Sequence, residues 1–62
     1  MATTVAVNYG PWWRVYGTTA NICKWLRDNH LTRSDLVVLA YDYGNTQFEA
    51  IAYGTGYTTS VA

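Results

Sequence analysis

Apolar and polar positions along the chain fall into short blocks separated by turn residues. Thr3-Thr4-Val5-Ala6-Val7 is rich in β-branched residues and predicts a strand. Asn8-Tyr9-Gly10-Pro11 reads as the loop after it, because glycine tolerates positive φ and proline cannot donate to a ladder. Trp12-Trp13-Arg14-Val15-Tyr16 is strand-like again and Gly17 ends it, so the two blocks predict a β-hairpin. The spacing then changes to that of a helix. Ile22, Trp25, Leu26 and Asn29 share one face of a segment that Thr18 or Thr19 can cap and that runs to about Asn29 or His30. Leu31 to Asp35 is a connector with a turn at Ser34-Asp35. Leu36 to Tyr43 is the clearest strand, Gly44-Asn45 a glycine-first hairpin turn, and Thr46 to Tyr53 its partner. The glycines and hydroxyl residues of 54–62 predict a C-terminal tail that frays unless Tyr57 and Val61 tie it down.

The order is therefore ββαββ. The simplest way to bury it is an α+β fold with a four-stranded, mostly antiparallel sheet and one helix packed on one face. A β-grasp-like order is one topology that fits. Residues 1–62 form a single small domain, since a chain of 62 residues has room for no more.

A two-residue turn at Gly44-Asn45 fixes the register of the second hairpin. Tyr43 then opposes Thr46, Tyr41 opposes Phe48, Leu39 opposes Ala50 and Val37 opposes Ala52. This apolar face belongs under the helix, where the alanines leave room for Trp25 and Leu26. The other face pairs Asp42 with Gln47, Ala40 with Glu49, Val38 with Ile51 and Leu36 with Tyr53, so it is polar only near the turn. If residues 8–11 form the first loop, Val7 opposes Trp12 and Val5 opposes Arg14. The uncharged set Thr4, Ala6, Trp13 and Val15 suits the helix side. The open face of the sheet then presents Val5, Val7, Trp12, Arg14, Tyr16, Val38, Ile51 and Tyr53. A contiguous apolar patch of this kind marks an interaction site, and Trp, Tyr and Arg are the side chains enriched at binding hot spots. The candidate binding residues are Trp12, Arg14, Tyr16, Val38, Ile51 and Tyr53.

Composition sharpens this picture. Half the residues are hydrophobic, ten are aromatic, and only 13% are charged, about half the share of an ordinary domain. So small a chain needs a disulfide, a metal, association or unusually good packing. Cys23 is the single cysteine, so neither an intrachain disulfide nor a multi-cysteine zinc site is available. Packing and self-association remain. The formal net charge is zero and no charge run exists, which leaves little for duplex DNA, whose binding depends on neutralised phosphates. The longest strongly apolar run, Leu36 to Tyr41, is far short of the roughly 20 residues of a membrane span. The N-terminal residues lack the basic segment and apolar core of a secretory signal. With a free thiol, these features point to the cytoplasm.

Catalytic chemistry is sparse. Cys23 and His30 are the only candidates for a nucleophile and base, and they lie about two turns, roughly 10 Å, apart on one helix. Cys23 is expected as a small core residue and His30 as a helix-end residue. Asp42 and Glu49 approach each other at the polar end of the second hairpin and read as a solvated strand end. Asp28 with His30 lacks a third metal ligand. Gly54-Thr55-Gly56 lacks the rest of any phosphate-binding fingerprint. No cofactor, metal or catalytic group is expected. The chain reads as a non-enzymatic protein-binding module of inhibitor or adaptor type, acting through the aromatic sheet face and able to work as a homodimer. The alternatives are a structural self-associating protein and a single-stranded nucleic-acid binder that stacks bases on Trp12, Tyr16 and Tyr53 beside Arg14.

Overall fold

The computed structural model describes residues 2–41 and 47–62, the side chains of 38–41 excepted. Strands β1 (Thr3–Thr4), β2 (Ala6–Tyr9) and β3 (Trp12–Gly17) precede helix α1 (Thr19–Asp28). A 3-10 turn (Arg33–Asp35), β4 (Leu36–Tyr41), β5 (Phe48–Tyr53) and β6 (Ser60–Val61) follow. The main sheet has the order β2-β3-β5-β4, and β1 pairs with β6 beside it. The α+β class and the ββαββ order are as the sequence implies. All the main-sheet pairings are antiparallel. The central strands β3 and β5 therefore lack the parallel pairing of a β-grasp sheet. The turn predicted at Gly44-Asn45, and with it Asp42, Tyr43 and Thr46, lies outside the described residues.

The first hairpin closes more tightly than expected. Tyr9 opposes Trp12 and Val7 opposes Arg14, so only Gly10 and Pro11 form the turn. Gly10 takes φ +68°, which proline then follows with its own fixed φ. Asn8 stays in the ladder, and its Nδ2 donates to the Gly10 carbonyl at 2.9 Å. The two-residue slip preserves the side-chain alternation, because the period of a strand is two. Trp13 and Val15 accordingly face the helix, as expected.

Val5 departs from the expected open face. Its N–H and that of Ala6 both donate to the Thr59 carbonyl, at 2.9 and 3.0 Å. Two successive amides aimed at one acceptor break the alternation, and Val5 and Ala6 are both buried. A second irregularity lies in β4. Tyr41, Ala40, Leu39 and Val38 pair with Phe48, Glu49, Ala50 and Ile51 as predicted, but a shift between Leu36 and Val38 puts Leu36 opposite Ala52. This extra residue sends Val37 outward, 59% exposed, and turns Leu36 against the core. The predicted placements of Val37 under the helix and Leu36 opposite Tyr53 are thereby exchanged.

Helix α1 starts where Thr18 Oγ1 accepts from the Asn21 N–H at 3.2 Å. It ends in a Schellman arrangement in which Leu31 N donates to Leu26 O and His30 N to Arg27 O. His30, at φ 59°, occupies the left-handed position usually given to glycine. Ile22, Trp25 and Leu26 are buried against Trp13, Val15, Ala50 and Ala52. Cys23 lies one residue, roughly 100° of helix rotation, beyond Ile22, and is exposed rather than in the core.

The segment after β5 is held by both residues that could hold it. Val61 is buried and opposes Thr3. The Tyr57 ring packs between Trp13 and Trp25, with centroids 5.6 and 5.5 Å away. The indole N–H of Trp13 donates to Gly54 O at 2.9 Å, and that of Trp25 to Thr58 O at 2.6 Å. Asn29 bonds Thr58 through both its amide atoms, and Lys24 Nζ donates to the Ala62 carbonyl.

Candidate functional site

The cross-strand register arranges the open face of the sheet in rows. Tyr9, Trp12 and Tyr53 are direct neighbours across β2, β3 and β5. Val7, Arg14 and Ile51 form the next row, and Tyr16 and Glu49 the third. Directly opposed residues stand about 5 Å apart. Five of the six candidate binding residues, Trp12, Arg14, Tyr16, Ile51 and Tyr53, thus lie together on this face. The backbone of Val38 lies opposite Ile51 in the same row.

The aromatic row is the most exposed part of the face. Tyr9 is 61% exposed, Tyr53 60% and Trp12 42%. Trp12 and Tyr53 meet edge to face at 4.8 Å, with an interplanar angle of 73°, the geometry favoured by the ring quadrupoles. Among the described residues, the Trp12 indole N–H has no acceptor, unlike those of Trp13 and Trp25. The charge on this face is internally balanced. Arg14 Nε donates to Glu49 Oε1 at 2.6 Å, and its guanidinium stacks 4.4 Å from the Tyr16 ring centroid. Both ionic partners are more than 40% exposed, so the pair contributes no more than about 1 kcal/mol.

Tyr9 and Glu49 belong to this arrangement although they are not among the sequence candidates. The loop expected at residues 8–11 takes Tyr9 out of the strand, and only the tighter turn brings it beside Trp12. Glu49 was placed by its own hairpin opposite Ala40. Its pairing with Arg14 depends on β3 lying beside β5, a contact between hairpins that local pattern does not encode.

A second feature lies on the opposite side of the sheet. An apolar groove of about 170 Å³ opens between α1 and the sheet, floored by Ile22, Leu26, Leu36 and Phe48, with exposed Thr19, Cys23 and Arg33 around it. Among the described residues, no cluster of three or more potential metal ligands occurs. No helix there is long and apolar enough to cross a membrane.

No family model, curated protein or solved structure matches the chain.

Proposed function

We propose that this domain is a small non-catalytic protein-binding module, of inhibitor or adaptor type, that engages its partner through the row Tyr9, Trp12 and Tyr53. The observation that carries this reading is the contrast among the tryptophans. Two have their N–H groups satisfied internally, while among the described residues Trp12 has no acceptor for its own and lies in an exposed aromatic patch. An amphipathic ring with an open polar handle is the residue type that interfaces use as an anchor. Val7, Ile51 and the backbone position of Val38 extend the patch toward β4. The same face is suited to pairing two copies of the chain in a homodimer. The exposed, unpaired Cys23 suits a reducing compartment such as the cytoplasm.

A single-stranded nucleic-acid platform is disfavoured by charge. Arg14, the cation beside the aromatic row, is committed to Glu49, and Lys24, Arg27 and Arg33 belong to the helix and the connector. The test is light scattering across a dilution series, followed by capture of partners with wild type and Trp12→Ala. Retention of one protein partner through a high-salt wash, lost in Trp12→Ala and in Tyr53→Ser with the circular dichroism unchanged, is the expected result. A stable dimer dispersed by the same substitutions assigns the face to self-association. Capture insensitive to both substitutions refutes the reading.

A further inference from the structure

We propose that the groove between α1 and the sheet is a binding site for a small amphiphilic carboxylate, with a chain of about six carbons over Leu26 and Phe48 and its head group on Arg33. The site is independent of the aromatic row, which lies on the other face of the sheet.

The groove's volume, about 170 Å³, is comparable to the roughly 150 Å³ of an apolar cavity known to take up benzene. Its floor of Ile22, Leu26, Leu36 and Phe48 offers an apolar tail no polar partner. Beside it is a shallow hollow lined by Arg33, Ser34, Leu36 and Val37. The two depressions share Arg33 and Leu36, so the apolar groove lies beside a hollow lined by a cation. That sequence of environments is complementary to an alkyl chain ending in an anion.

Arg33 is available for this role. It makes no ion pair among the described residues. The acid nearest to it in sequence, Asp35, is directed back to Thr32. Its Oδ2 accepts from the Thr32 N–H at 2.8 Å and from Thr32 Oγ1 at 3.2 Å. A guanidinium presents two parallel N–H donors that match a carboxylate, whereas an alcohol takes only one. The charge therefore selects the acid over the alcohol of equal length, and the floor selects hexanoate over acetate.

The test is methyl-resolved NMR of the full chain titrated with sodium hexanoate, 1-hexanol and sodium acetate. Hexanoate is expected to shift the Ile22, Leu26 and Leu36 methyls with a Kd on the order of 1 mM, within the range open to so small a ligand. It should also slow the reaction of the Cys23 thiol with an uncharged aromatic disulfide. Hexanol should bind a few-fold more weakly, about fivefold at most for an exposed ion pair, and acetate should leave the methyls unmoved. In Arg33→Gln, hexanoate should fall to the level of hexanol, with hexanol itself unchanged. Cys23→Phe, which extends a ring from an exposed helix position over the groove, should abolish both. Methyls unmoved by hexanoate overturn the site. Equal binding of hexanoate and hexanol, or full hexanoate affinity in Arg33→Gln, overturns the assignment of the head group.

Discussion

Two aromatic trios stand on opposite faces of the same sheet. Inside, Trp13, Trp25 and Tyr57 pack ring against ring at 5.5 to 6.4 Å. Outside, Tyr9, Trp12 and Tyr53 line up across adjacent strands. Residue types do not distinguish them, since each trio has tryptophan and tyrosine. They differ in what surrounds the polar edges. The inner indoles donate to carbonyls of the C-terminal segment, and the Tyr57 hydroxyl donates to the Tyr53 carbonyl at 3.3 Å. The Trp12 N–H has no such acceptor among the described residues. The inner set therefore belongs to the core, and the outer set is the one proposed for recognition.

Substitutions can break that division. The largest effect belongs to Trp25→Ala. Trp25 is fully buried, and truncating a core tryptophan costs about 3–5 kcal/mol. A domain of this length has only about 3–9 kcal/mol in total, so urea denaturation should find Trp25→Ala largely unfolded before denaturant is added. Next comes Gly54→Ala. A methyl group there would collide with the Tyr57 hydroxyl, at a φ of +150°. Clash and backbone strain together should cost about 3 kcal/mol, read as a fall in thermal midpoint with loss of near-ultraviolet aromatic dichroism. Trp12→Ala should cost about 2 kcal/mol, the edge-to-face contact with Tyr53 and the half of the ring that is covered, while removing partner binding. A stability loss as large as that of Trp25→Ala would place Trp12 with the core. The smallest effect is that of Glu49→Gln. It should change stability by less than about 0.5 kcal/mol and leave chemical shifts on the inner trio unmoved.

The legible parts of the fold were those set by local spacing. The helix followed from Ile22, Trp25 and Leu26, and its start from Thr18 or Thr19, of which Thr18 makes the cap. The register from Tyr41/Phe48 to Val38/Ile51 followed from alternation carried back from one turn. What escaped was fixed by contacts distant in sequence. Val5 turns inward because Thr59 accepts two amides, and Leu36 because an extra residue at Val37 resets the alternation. Cys23 faces outward because helix phase outweighs its preference for burial. On the aromatic face, the alternation placed Trp12, Arg14, Tyr16, Ile51 and Tyr53 on one side of the sheet, but not β3 beside β5. Tyr9 was hidden because the turn residues Asn8, Gly10 and Pro11 read as a four-residue loop that includes it, whereas the chain turns over Gly10 and Pro11 alone. Glu49 was hidden because its ionic partner sits on the other hairpin.

The C-terminal strap also bears on how the chain matures. Trp13 and Trp25 are synthesised early, yet the carbonyls they donate to belong to Gly54 and Thr58, and β1 pairs only with Ser60 and Val61. Until those residues leave the ribosome, the two indoles have neither their acceptors nor the Tyr57 ring between them. The inner trio is thus completed by contacts between residues that are 33 and 41 positions apart, and contacts of such long range form only after the chain between them has closed into a loop.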